Sequence, residues 1–203
     1  MASTDADEPG ENGAEHEGSA TSVLPSDAGA FTEDDERKPY RWHGGLDFGL
    51  LVLRVVVGAI VGVHGLQKIF GAFDGPGVQG FAKFLGGQGF RYTTELTYLT
   101  GWTEIVGGGF LILGLLTPLA AAGVLGVLAN AAYLKHGQGF FVQTGGIEYE
   151  LTLAASSFAL MFTGAGRFSM DIGRSWSRHG GISGIVGLIV AAGASALVLI
   201  FAH

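Results

Sequence analysis

The sequence predicts an all-α, polytopic membrane protein: a four-helix transmembrane bundle with a fifth transmembrane helix at its C-terminal end. Three observations carry that reading. Only 14% of the 203 residues are charged while 48% are hydrophobic, against roughly 25% charged in a soluble domain. The mean hydropathy is +0.40. Five apolar stretches approach the ~20 residues that a bilayer core requires. The absence of cysteine removes disulfides, thiolate metal sites and thiol redox chemistry from the list of possible functions.

The net charge of −7 belongs to one segment. Residues 1–36 hold 11 Asp/Glu and no Lys/Arg, so the remainder, with 7 Asp/Glu and 11 Lys/Arg, carries +4. Residues 1–45 therefore read as a disordered acidic cytoplasmic tail ending in a membrane anchor. The tail is too poor in apolar residues to fold by burial, and it lacks the basic start and early apolar run of a signal peptide. It is a solubilising tail or a docking tail for a basic partner. Arg37, Lys38, Arg41 and His43, interleaved with Tyr40 and Trp42, have the composition of a cytoplasmic interface anchor. The cluster is too small and too close to the membrane to bind nucleic acid.

Span 1 is expected over about 46–70, span 2 over 96–116, span 3 over 117–134, span 4 over 148–163 and span 5 over 182–202. Thr117 and Pro118 suit the cap and first position of span 3. Between spans 1 and 2, Val78, Phe81, Ala82 and Leu85 recur at helical spacing and predict a short amphipathic helix on the outer surface. A glycine-rich loop with Phe140 and Phe141 joins spans 3 and 4. The basic and aromatic anchor puts the N-terminus inside, and five crossings then put the C-terminus outside. Arg37, Lys38, Arg41, Arg167, Arg174 and Arg178 then face Lys68, Lys83, Arg91 and Lys135, a modest positive-inside bias.

The polar residues inside the spans are the candidates for function, because a charge in a membrane helix costs at least ~2.5–3.5 kcal/mol and needs a partner or a use. At 1.5 Å per residue, Arg54 and Glu104 each lie roughly 12 Å from opposite membrane edges, which predicts an Arg54–Glu104 contact. His64 and Lys68 are i, i+4 on one helix face, with Gln67 beside them. Asn130 falls in the outer half of span 3. Lys135, His136, Glu148, Tyr149 and Glu150 gather at the outer ends of spans 3 and 4, where Lys135, His136 and Glu150 also fit as simple markers of helix ends. Together these residues predict a polar pocket opening outward. Glycine faces on span 1 (Gly58, Gly65), span 2 (Gly101, Gly108) and span 3 (Gly123, Gly126) predict close helix approach. His64, His136, Glu148 and Glu150 are metal-ligand types, but no metal spacing motif joins them, and no metal site is expected.

The run Leu53-Arg54, Gly58, His64-Gly65-Leu66-Gln67-Lys68-Ile69-Phe70-Gly71 is followed by Gly80-Phe81, by Glu104 with Gly107-Gly108, and by Leu113 to Ala120. Gly139-Phe140-Phe141, Glu148-Tyr149-Glu150 and Gly164 to Asp171 complete the pattern. On these residues, about 50–171, the chain resembles the DoxX family. The resemblance implies a four-helix bundle over 46–171 in the bacterial cytoplasmic membrane. It also implies a link to quinone-coupled thiosulfate oxidation and to oxidoreductase assemblies that resist oxidative stress. Arg54, His64, Lys68, Glu104 and Glu148 match the family's polar positions. The acidic tail and the segment 172–203 depart from the pattern. Small residues along span 5 (Gly184, Gly187, Ala191, Ala194) suit contact with a partner subunit or a plain anchor.

The expected function is a membrane subunit of an oxidoreductase system. Its catalytic candidates are Glu104, Arg54 and His64. His64, Gln67, Lys68, Asn130, Glu148 and Tyr149 are candidates to bind a quinone or small redox substrate. No haem or iron–sulfur ligand set appears, so no intrinsic cofactor is expected and electrons would come from a partner. Two alternatives stand beside it. One is a scaffold recruiting partners, including respiratory complexes, through residues 1–36 and the 182–202 helix. The other is a small-molecule or lipid transporter, although the sequence shows no inverted repeat.

Overall fold

The computed structural model describes residues 44–174 and 180–202. The acidic tail, its basic and aromatic anchor and Arg178 lie outside them. Among the described residues the structure is helical and holds no strand. The longer helices are α1 (Gly44–Phe70), α2 (Gly77–Gly87), α3 (Thr93–Leu113), α4 (Thr117–Lys135), α5 (Glu148–Thr163) and α6 (Gly180–Ala202). α2 is the expected amphipathic helix between the first two spans.

Helices α1, α3, α4 and α5 pack as a ring: α1 on α3, α3 on α4, α4 on α5 and α5 back on α1. α6 leans on α4 and α5 from outside. Four described helices are long and apolar enough to cross a membrane, namely α1, α3, α4 with its continuation to Gln138, and α6. α5 keeps the expected bounds as the fourth member of the ring. Its 16 residues rise about 24 Å, short of a ~30 Å hydrocarbon core.

Glycine sets the closest contact. A Cβ on Gly58 would stand 2.5 Å from the Gly108 carbonyl oxygen, and one on Gly65 would stand 2.7 Å from the Gly101 carbonyl oxygen. α1 and α3 therefore touch backbone to backbone at two levels, which only residues without a side chain allow.

That register overturns the expected Arg54–Glu104 contact. With Gly58 against Gly108 and Gly65 against Gly101, Glu104 lies level with the turn Gly62–Gly65, roughly 12–15 Å along α1 from Arg54. Depth counted from the ends of the apolar runs misses this because the glycine contacts, not the helix starts, set the axial register of α1 against α3, and they put Arg54 beside Gly114 at the far end of α3.

Arg54 is fully buried and donates from Nη2 to the Phe168 carbonyl. Asp171 is its electrostatic partner. The segment after α5 folds back beneath the bundle. Asp171 accepts the backbone N–H groups of Leu116 at 2.9 Å and Thr117 at 2.8 Å, and Asp47 accepts that of Arg167 at 2.7 Å. Asp171 thus caps α4 from 54 residues away. Thr117 does not act as the cap: Leu116 holds that place with φ 47, and the Thr117 hydroxyl is buried with no hydrogen-bond partner among the described residues.

Candidate functional site

The other end of the bundle encloses a cavity of about 420 Å³, within the range of small-molecule pockets. The C-terminal half of α1 brings His64 and Lys68, one turn apart on the same face. α3 brings Thr100, Thr103 and Glu104. α4 brings Asn130 and Lys135, and the first turn of α5 brings Tyr149 and Glu150. α2 closes one side with Phe81, Phe84 and Leu85, and α6 closes another with Val190, Ala194, Ser195 and Val198.

The charges that line the cavity are paired. Lys68 Nζ donates to both carboxylate oxygens of Glu104, 2.5 Å from each, and lies 5.2 Å from the centre of the Phe81 ring. Lys135 Nζ donates to Glu150 Oε1 at 2.6 Å. The two carboxylates are buried, while Lys135 reaches the surface. Between the pairs, His64 Nε2 and the Tyr149 hydroxyl share a hydrogen bond of 2.8 Å. Gln67 hydrogen-bonds to His64 through its side chain. Both Glu104 and Glu150 act electrostatically on Tyr149. The constellation is thus one continuous polar cluster at the end of an otherwise apolar chamber.

The structure divides the candidate residues. His64, Lys68, Glu104, Asn130 and Tyr149 line the cavity. Gln67 does not; it lies under the turn at Gly75 and reaches the site through His64. Glu148 opens α5 one residue before Tyr149, but its side chain is outside the lining. Arg54 is at the opposite end of the bundle, in the cluster with Phe168 and Asp171. Asn130 accepts a 2.6 Å hydrogen bond from Ser195 of α6, which fixes its amide against that helix. His136 is exposed and hydrogen-bonds to the Tyr133 carbonyl at 2.6 Å.

Two lining charges, Lys135 and Glu150, fitted the sequence both as pocket residues and as helix-end markers and were not named as binding candidates. The buried positions of α5 include Glu150, Leu153, Ser157 and Leu160, a helical stripe that begins at Glu150. Following that stripe back to its first member would have placed Glu150 inside. Glu150 Oε2 is buried with no hydrogen-bond partner among the described residues. No group of three or more metal-ligand side chains comes together among the described residues.

The small residues of α6 face the chain's own helices. A Cβ on Gly187 would meet Met161 of α5 at 2.8 Å, and one on Gly126 of α4 would meet the Ala191 carbonyl oxygen at 3.4 Å. The stripe that suited a partner subunit is occupied within the molecule.

Residues 49–137 match the model of the DoxX family, covering α1 to α4. The chain is also similar to a protein of Bacillus subtilis named "Putative oxidoreductase CatD", 28% identical over 125 residues, which are 62% of this chain and 86% of that protein. No solved structure gives a significant match.

Proposed function

We propose that this multi-pass membrane protein, whose residues 49–137 match the DoxX family model, serves as the membrane subunit of an oxidoreductase system, binding a quinone headgroup in the cavity between α1, α3, α4 and α5. The observation that carries the reading is the His64–Tyr149 hydrogen bond of 2.8 Å, set between two ion pairs at the polar end of an apolar chamber. The relative named as an oxidoreductase supports it.

The residues present suit the group. A quinone supplies two-electron, two-proton exchange, and its head needs hydrogen-bond donors at the ring oxygens with apolar surface around the rest. Tyr149 or His64 donates to a ring oxygen and, as a linked pair, passes a proton to it. Lys68, held by Glu104, keeps a positive charge beside that oxygen. Lys135 and Glu150 connect the pair to the surface, because Lys135 is the partly exposed member of the cluster. Electrons come from a partner subunit docked through residues 1–36 or along the outward apolar face of α6.

The orientation follows from the charges. Lys68 and Lys135 are committed to ion pairs within helix ends, so they drop out of the count. Lys83 and Arg91 then stand against Arg37, Lys38, Arg41, Arg167, Arg174 and Arg178 in the segments expected inside, a positive-inside bias that supports a cytoplasmic N-terminus. The cavity opens toward the outer half.

The test is purification in mild detergent with extraction and chromatography of bound quinone. Wild type should retain quinone above the background of bulk lipid, and Tyr149→Phe should lose most of it. A wild-type protein with no quinone, in cells whose tolerance to oxidants survives Tyr149→Phe unchanged, overturns the proposal.

A further inference from the structure

The cavity has a wall that the family-matched segment does not supply. α4 forms its floor. On one side Gly123 faces α3, where a Cβ would stand 3.3 Å from Thr103 Cγ2, and on the other Gly126 faces Ala191 of α6. α3 and α6 each pack along α4, and contact between the two themselves is slight. They come together where α6 ends: the N–H of Arg91, just before α3, donates to the Ala202 carbonyl at 2.6 Å, and Ala202 joins Leu85, Phe90 and Leu96 of α3 in a small apolar cluster. The space between α3 and α6 is therefore closed at that end and open along its length. Its rim is apolar and exposed, with Leu99 of α3 56% and Val190 of α6 47% exposed. In a bilayer, that rim faces hydrocarbon.

The inner end has a different character. Lys68 is matched by Glu104 and Lys135 by Glu150, so the formal charges cancel. A charged head entering here would be left without a counter-charge unless it broke a buried ion pair, which is costly. A neutral head needs no such change. Glu150 Oε2, buried and without a hydrogen-bond partner among the described residues, is an acceptor free to take a hydroxyl.

We propose that α3 and α6 form a lateral portal through which a neutral, chain-bearing lipid enters from the bilayer, its hydroxyl or carbonyl head reaching the Lys68–Glu150 cluster and its chain lying between Leu99, Val190 and Ala194. α6 is then a wall of the binding site that sets which chains fit. The inference deepens the quinone reading and rests on the same cavity, but it specifies the route and the charge of the ligand rather than its redox chemistry.

The experiment uses the full chain in phosphatidylcholine nanodiscs, with binding measured above empty discs. The probes are a tritiated dimethoxy-methyl-benzoquinone bearing a decyl chain, the same head without a chain, and tritiated farnesol, a neutral alcohol with no redox head. The chain-bearing quinone should bind at least about tenfold more tightly than the bare head, a difference of ~1.4 kcal/mol. Ala194→Trp should weaken the chain-bearing probes by about tenfold or more and leave the bare head unchanged. Leu99→Trp, on the opposite rim at a position already facing lipid, should do the same without strain on the fold. Decyl phosphate should not compete.

Equal binding of chained and bare heads, rim variants without effect, or displacement by decyl phosphate would each overturn the portal. Portal-dependent uptake of farnesol with no quinone binding would retain the portal and reject the quinone.

Discussion

Lys68 on α1 and Glu104 on α3 form a two-pronged ion pair, with Nζ 2.5 Å from both carboxylate oxygens, at the level where the glycines of the two helices let their backbones meet. The pair is buried, with side-chain exposures of 15% and 7%. Removing one member leaves the other charge uncompensated. Lys68→Met is expected to cost about 3–5 kcal/mol, and Lys68→Met with Glu104→Met to recover most of that loss. Denaturation of the two variants in detergent micelles checks it; a double variant no more stable than the single would show that the pair is not coupled.

The glycines that set the level make a second prediction. Gly58→Val places branched carbons against the Gly108 carbonyl, where even a Cβ would stand 2.5 Å away. α1 and α3 must then separate, at a cost of about 1–3 kcal/mol or more for an overpacked contact. Gly62→Ala is the control: a Cβ there meets nothing within 4 Å, and replacing a mid-helix glycine should be neutral or stabilising by up to ~1 kcal/mol. Thermal melting of the two variants should move in opposite directions or differ by several degrees.

The architecture was legible because its signals are local. Apolar runs of membrane length, the spacing of Val78, Phe81 and Leu85, and the glycines of α1 and α3 each report on a single helix. The site was legible in part for the same reason: His64 and Lys68 share a face by periodicity alone. Pairings between helices were not. Choosing Lys68 over Arg54 as the partner of Glu104 depends on the axial register of α1 against α3, which two glycine contacts set and no single helix reveals. Asp171 was invisible as a cap because it reaches α4 from 54 residues away, and the packing of α6 stayed open because a stripe of small residues does not say which helix it faces.

Asp171 supports a third prediction. Its carboxylate accepts the first free backbone N–H groups of α4, from Leu116 and Thr117, and it is the charge acting on buried Arg54. Losing a cap costs about 0.5–2 kcal/mol, and leaving a buried cation without its counter-charge adds to that loss. Asp171→Ala should therefore destabilise by more than a cap alone. Asp171→Asn keeps an oxygen for the helix end and loses only the charge, so it should fall between wild type and alanine. If asparagine and alanine melt together, the charge on Arg54 is the whole effect and the cap contributes nothing.

The last prediction concerns how α6 is held. Its small face packs on α4 and α5, and a side-chain hydrogen bond from Ser195 Oγ to Asn130 Oδ1, 2.6 Å long, ties it to α4. Hydrogen bonds between membrane helices average only ~0.6 kcal/mol, with ~1.7 at the upper end. Ser195→Ala should therefore cost little in stability. Gly187→Leu should cost more, because even a Cβ at that position would stand 2.8 Å from the Met161 sulfur and a larger side chain forces α6 off α5. Limited proteolysis near the start of α6 reads the difference: Gly187→Leu should be cut faster than wild type and Ser195→Ala at nearly the wild-type rate. The reverse ranking would mean that α6 is secured by its polar bond rather than by the fit of its small residues.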